Sequence, residues 1–105
     1  MQVIVHGIKL HAGVEPSHFE AWVREYDYGA CPQLPSVNAF TVHRVSEDSS
    51  APVHFFEIIW ATSREAFSRD MDTDVFRELS NGFAKFASVV DELTGEPIEP
   101  GYLAV

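Results

Sequence analysis

The chain has 105 residues, which is enough for one domain with a modest core. Its content of 46% hydrophobic and 12% aromatic residues excludes a disordered chain. Sixteen acidic against seven basic residues give a net charge of -9, which argues against binding to nucleic acid or to anionic membranes. The single cysteine cannot form an internal disulfide, and no leader peptide or run of about 20 apolar residues is present, so we expect a cytoplasmic protein.

A β-branched run opens the chain and predicts the first strand, which should stop at Ala12 and Gly13. Both of its faces are apolar, which is typical of a central strand. Pro16 is suitably placed for a first helical turn. Apolar residues then recur at helical spacing and predict an amphipathic helix, whose buried stripe should contain Phe19, Trp22, Val23 and Tyr26.

The segment from Tyr26 to Val37 combines two tyrosines, an aspartate, the only cysteine and two prolines. Pro32 and Pro35 predict a stiff, extended connector, and stiff loops with aromatic and acidic groups often form the wall of a site. An acid beside a phenol suits a polar aromatic ligand, so we expect Asp27 or Tyr28 to line a pocket. The cysteine has no cationic neighbour in sequence and is interpreted as a packed thiol.

The middle of the chain predicts a hairpin of two antiparallel strands, Val37 to Val45 and Val53 to Ala61. A capping box over 62–65 predicts the start of a helix, and an acidic stretch over 69–74 predicts a break in it. A short fourth strand is expected over Val89 to Leu93. The remaining histidines are expected at the surface or at strand edges: His11, His18 and His54.

The order βαββαβ predicts a ferredoxin-like α+β fold with an antiparallel sheet in the order 4-1-3-2 and both helices on one face. One domain should span residues 1–105, with a C-terminal extension from about residue 95. The second face of the sheet is then uncovered. We expect it to carry Ile4, Ile8, Phe55 and Ile59, and an apolar patch of that kind predicts a homodimer.

Strand alternation predicts that His6, Glu57 and His43 project from three neighbouring strands on the same face. A carboxylate between two imidazoles in an apolar surround can handle protons, because it raises the basicity of a histidine and fixes its tautomer. The same three groups could instead satisfy one another at a dimer interface. Metal binding by two histidines and a carboxylate lacks any tight local spacing, so we predict no metal and no cofactor.

Three strings resemble the RedY-like (HapK-type) proteins of prodiginine, or tripyrrole pigment, biosynthesis. They are the opening Val-Ile-Val-His-Gly-Ile-Lys-Leu, the helix end Phe-Glu-Ala-Trp-Val-Arg-Glu-Tyr-Asp-Tyr, and above all Ala-Cys-Pro-Gln-Leu-Pro-Ser-Val over 30–37. The resemblance covers the whole chain. It implies a dimeric α+β barrel and a substrate class of aromatic nitrogen heterocycles, such as bipyrroles and bisindoles, but it implies no set of catalytic residues.

The sequence therefore predicts a homodimeric, cofactor-independent protein that acts on a bipyrrole-like or bisindole-like intermediate by moving a proton during cyclisation, dehydration or tautomerisation. His6, with Glu57 or His43, is predicted to carry the proton. Four residues are predicted to bind the substrate: Tyr26, Asp27, Tyr28 and Trp60. Two alternatives remain open, a protein that only binds and shields a reactive intermediate or partner enzyme, and a cofactor-free or haem-dependent monooxygenase.

Overall fold

A computed structural model describes all residues 1–105 and has four antiparallel strands in one sheet. The strands are β1 (Gln2–Leu10), β2 (Val37–Arg44), β3 (Phe55–Ala61) and β4 (Ala87–Gly95). Their spatial order is β2-β3-β1-β4, with β1 in the centre. The predicted ferredoxin-like α+β fold is thereby confirmed, while β4 is longer at both ends than its short apolar run suggested.

The first helical layer is longer and less regular than predicted. Helix α1 (Pro16–Trp22) continues into a π-helical turn (Val23–Asp27), a short helix α2 (Tyr28–Ala30) and a 3₁₀ turn (Cys31–Gln33). The prediction of an extended connector is therefore wrong for its first eight residues, 26–33. Pro32 does not prevent this, because it lies at the start of the 3₁₀ turn, where its missing N–H costs no hydrogen bond.

The second helical layer consists of α3 (Arg64–Met71) and α4 (Asp74–Ala84), with the predicted break between them. The cap of α3 differs by one residue from the prediction, since Ser63 rather than Thr62 accepts a hydrogen bond from the first turn. Thr73 caps α4 in the same way. Each side chain satisfies an amide that would otherwise lack a partner at the start of its helix.

The helices cover the face of the sheet that the alternation predicted to be bare. Ile4, Ile8, Phe55 and Ile59 are all buried, and they belong to two apolar clusters that also contain helical residues. The prediction was wrong because β1 and β3 are apolar on both faces, so alternation alone cannot tell the faces apart. The uncovered face still carries half-buried apolar side chains, namely Val3, Val5, Phe56, Ile58 and Trp60.

His54 is buried, although it was predicted at the surface or at an edge. Its Nδ1 accepts a hydrogen bond from the backbone N–H of Leu10 at 3.0 Å, and its Nε2 lies 2.9 Å from the carbonyl oxygen of Asp48. Since Nδ1 accepts, Nε2 carries the proton and donates it to that carbonyl. The imidazole thus ties the hairpin loop to the end of β1.

The last ten residues, 96–105, form no helix or strand. Three large apolar side chains of this tail, Ile98, Tyr102 and Leu103, are about nine-tenths exposed. None of the helices is both long enough and apolar enough to cross a membrane.

Candidate functional site

A pocket of about 320 Å³ lies between the sheet and the helices, and we call it the inner pocket. Most of its lining is apolar, from Trp22 and Leu34 on one side to Phe67 and Phe76 on the other. Four polar residues interrupt this lining: His6, Asp27, Glu57 and Ser80. An apolar pocket of this size with a few convergent polar groups is typical of a small-molecule site.

His6 and Glu57 form a close pair at the floor of the inner pocket. They are direct cross-strand partners in β1 and β3, so their side chains project from the same face of the sheet. His6 Nδ1 lies 2.7 Å from Glu57 Oε2, and His6 Nε2 lies 3.6 Å from Oε2 of Glu92 on β4. The hydrogen bond to Glu57 raises the pKa of His6, although burial of the ring opposes this.

Asp27 faces the same pocket from the helical layer. Burial in the apolar lining raises its pKa to about 7, and the negative charge of Glu57 adds to the effect. A carboxyl group with this pKa is divided between its acid and its base form near neutral pH. It can therefore both donate and accept a proton under ordinary conditions.

The π-helical turn positions Asp27. In this turn the N–H of Tyr28 bonds to the carbonyl oxygen of Val23, five residues earlier. Asp27 follows the buried Val23 by four residues and so stays on the side of the helix that faces the sheet. Single π-helical turns are rare and occur often at functional sites.

His43 does not join His6 and Glu57. The partner of Glu57 in β2 is Val42, so the neighbouring His43 lies on the uncovered face, where its ring stacks on Phe56 with centroids 4.6 Å apart. The prediction that all three share a face is therefore wrong. The set of two histidines and a carboxylate is not assembled either, and no group of three or more potential metal ligands occurs in the chain.

Only one of the four predicted substrate-binding residues lines the inner pocket, and that residue is Asp27. Tyr26 is 57% exposed, so its predicted place in the buried stripe is wrong. Tyr28 accepts a hydrogen bond from the backbone N–H of Val42 at 3.0 Å, and its ring packs edge-on against Phe40, a residue of the pocket wall. Trp60 lies on the uncovered face, since it pairs with Val3 in the sheet.

The sequence interpretation missed several residues of the site. Trp22 was assigned to the buried stripe of the first helix, yet it lines the inner pocket, and so does Phe83 of α4. Glu92 was not singled out, although it is the cross-strand partner of His6 in β4. The spacing of Asp27, four residues after Val23, was an available signal for its inward direction.

Cys31 lies beside this acid rather than in the inner pocket. Its Sγ donates a weak hydrogen bond to the backbone carbonyl oxygen of Asp27 at 3.6 Å. Burial raises the pKa of the thiol, and the charge of Asp27 adds to this. The thiol is therefore a poor nucleophile at neutral pH, because the reactive form is the thiolate.

Comparison with known proteins finds one matching family and several solved structures with the same fold. The model of the REDY-like protein HapK family matches residues 2–98. The crystal structure of HapK from Hahella chejuensis is 45% identical in sequence, with 100% of both chains covered and a TM-score of 0.96. A search of curated proteins found no match.

Two more distant structures share the fold. SnoaB, a cofactor-independent oxygenase from Streptomyces nogalater, is 15% identical, with a TM-score of 0.73 over 95% of this chain and 97% of that chain. An ethyl tert-butyl ether d (ethd) family protein from Bacillus halodurans is also 15% identical, with a TM-score of 0.63 over 93% of this chain and 100% of that chain. At sequence identities this low, the similarity shows only that the fold is shared.

Proposed function

The chain belongs to the REDY-like HapK family, and on that premise we propose that it serves secondary-metabolite biosynthesis by binding a flat bipyrrole-like or bisindole-like intermediate and moving a proton on it. A prodiginine-type pigment pathway is the setting that the sequence resemblance implies. The observation that carries the chemical part is the convergence of Asp27, Glu57 and His6 in a pocket whose other lining residues are apolar except for Ser80. No cofactor takes part in the proposed reaction.

The apolar lining supports an aromatic ligand. Flat heterocycles gain most of their binding free energy from burial against aromatic and aliphatic walls, here including Trp22, Phe40 and Phe76. Their ring N–H groups need acceptors once they leave water, and the carboxylates of Glu57 and Asp27 are suitable acceptors. The apolar walls and the few polar groups of the pocket therefore support such a ligand.

The proton chemistry follows from the two carboxyl groups. Cyclisation, dehydration and tautomerisation each require a proton to leave one atom and another to arrive elsewhere. Asp27, with a pKa of about 7, is the proposed proton donor and acceptor. Glu57 is held by His6, and this pair fixes a second acceptor on the sheet side of the pocket. His43 has no part in this scheme because it lies on the other face of the sheet.

The test is turnover and binding of a synthetic 2,2′-bipyrrole aldehyde, followed by absorbance and mass spectrometry. We expect Asp27→Asn to lower turnover by roughly 10²-fold to 10⁴-fold, the usual contribution of general acid–base catalysis, while the Kd changes by less than about threefold. Glu47→Gln, an exposed acid in the hairpin loop, is the matched control. Full activity of Asp27→Asn would rule out the proposed role of this acid.

A second function is supported by the apolar character of the lining. The inner pocket could bind and shield the intermediate without converting it. Tight binding of the bipyrrole by the wild type without any product would favour this function. Consumption of oxygen during turnover would instead assign the protein to oxygenase chemistry.

We also propose that the protein is a homodimer formed through the uncovered face of the sheet. Val5, Ile58 and Trp60 contribute apolar surface there, and no helix of the chain packs on it. Exposed apolar patches of this kind commonly mark an interface between subunits.

A further inference from the structure

A second depression adjoins the inner pocket, and we call it the outer groove. It has a volume of about 760 Å³ and runs between the helical segment 22–33 and α4. Polar side chains such as Glu78 and Lys85 line it together with Tyr26. Two residues, Trp22 and Leu79, line both the outer groove and the inner pocket. These two side chains therefore form a wall between them.

Gly82 in α4 fixes the position of this wall. A Cβ atom built on Gly82 would lie 2.9 Å from Nε1 and 3.0 Å from Cζ2 of Trp22. A Cβ atom essentially never lies closer than 3.0 Å to another heavy atom, so any larger residue at position 82 must move the indole or the helix. A glycine here runs against the helix preference of the surrounding turn, and the close approach of the indole gives a reason for it.

The indole has little freedom to move sideways. Its ring stacks with Phe19 at a centroid distance of 6.2 Å and contacts Phe86 at 5.9 Å and Phe83 at 6.3 Å. Gly82 lines the outer groove but not the inner pocket, so a larger residue there would press on the indole from the groove side. We therefore expect the indole to shift toward the inner pocket. The space left for a ligand would shrink accordingly.

We propose that Trp22, seated on Gly82, is the partition that sets the largest ligand the inner pocket accepts, and that the outer groove becomes a site for an additional ring when this partition is removed. The proposal rests on the proposed function, because it assumes that the inner pocket takes a flat aromatic heterocycle. It assigns a role in specificity to two residues that lie outside the proton chemistry.

Enlarging Gly82 should reduce the size of ligand that the inner pocket accepts, and truncating Trp22 should increase it. Gly82→Ala pushes the indole inward, so we expect a two-ring probe, 2,2′-bipyrrole, to bind at least tenfold more weakly. A one-ring probe, pyrrole-2-carboxaldehyde, should change by less than twofold. Trp22→Ala joins the pocket to the outer groove, so we expect a three-ring probe, terpyrrole, to gain at least tenfold in affinity.

Gly29→Ala is the matched control, because Gly29 also lines the outer groove and a Cβ there meets no atom within 4 Å. It should leave all three affinities unchanged. Thermal melting and circular dichroism of each variant separate a change of specificity from a loss of folding. Equal size preference in Gly82→Ala and Gly29→Ala, with both folded, would overturn the proposal.

Failure of the proposed function gives a different result. If the wild type binds none of the three probes, that function fails, and the partition is then judged by crystal structures of the wild type and Gly82→Ala. An indole displaced into the inner pocket supports the partition, whereas an indole in its original place overturns it.

Discussion

Asp27 carries a carboxyl group that holds its proton to a pH near 7 in the folded protein, about three pH units above its ordinary value of 3.8. The unfolded chain releases this proton near its ordinary pKa. Between about pH 4 and pH 7 the folded state therefore binds more protons than the unfolded state, and the free energy of unfolding falls as the pH rises. Above about pH 7 both states are ionised and the loss is complete.

This linkage predicts that Asp27 makes the free energy of unfolding depend on pH. Asp27→Asn removes the cost of a buried charge, so we expect it to raise the free energy of unfolding by roughly 2 to 4 kcal/mol at pH 8 and by little at pH 4. Urea unfolding at several pH values measures the difference. An equal effect of the substitution at both pH values would contradict the raised pKa.

Glu57 couples the other two ionisable groups of the site. In Glu57→Gln the carboxylate that raises the pKa of His6 is lost, so we expect that pKa to fall. The pKa of Asp27 should fall as well, because a negative neighbour has been removed. NMR titration of the imidazole and carboxyl carbons measures both values. An unchanged pKa of His6 would show that the pair does not form in solution.

At the scale of the elements, the hairpin shows how far the sequence interpretation could reach. The two strands and their antiparallel pairing were predicted, and Phe40 and Val42 of the first strand pack against the two buried clusters. The faces of β1 and β3 were not predicted correctly. In the structure Val42 lies opposite Glu57 rather than opposite Phe56. Composition does not fix this register between the two strands.

His54 gives the hairpin its own stability test. Replacement by alanine leaves the N–H of Leu10 and the carbonyl oxygen of Asp48 without their partner and removes buried volume. We expect His54→Ala to lower the free energy of unfolding by roughly 2 to 4 kcal/mol, as measured by urea unfolding. His18→Ala, at an exposed position, should change it by less than about 0.5 kcal/mol.

Helix periodicity alone could not predict the π-helical turn. The spacing of Phe19, Trp22 and Val23 was recognised, but the pattern was extended to Tyr26 as if the helix were regular. Within this turn Tyr26 is exposed and Asp27 lines the inner pocket. An acid in a buried stripe contradicts simple amphipathic patterning, and such conflicts are expected at functional sites.

At the scale of the whole molecule, the order of the elements was sufficient for the fold. A ferredoxin-like arrangement has few alternatives once β-α-β-β-α-β is recognised, and the family resemblance pointed the same way. The site was harder, because its three ionisable groups come from β1, β3 and the first helical layer. These side chains are far apart in sequence. Their meeting can be predicted only when the face of each strand is known.

The uncovered face of the sheet supplies a test of assembly. Ile58→Glu places a charge in the middle of the proposed interface, and burial of an unpaired charge is strongly unfavourable. We expect the wild type to sediment as a dimer at micromolar concentration and the variant to sediment as a monomer. Ala21→Glu, at an exposed position of α1 on the helical side, is the control and should leave the dimer intact. A wild type that sediments as a monomer would contradict the proposal.

Glu92 gives the buried pair a connection to bulk water. Its side chain is more than half exposed, yet one of its oxygens lies 3.6 Å from the ring nitrogen of His6 that faces away from Glu57. A small rotation of this side chain closes that gap to hydrogen-bonding distance. A proton can then reach Glu57 from solvent through the imidazole, without crossing the apolar part of the pocket.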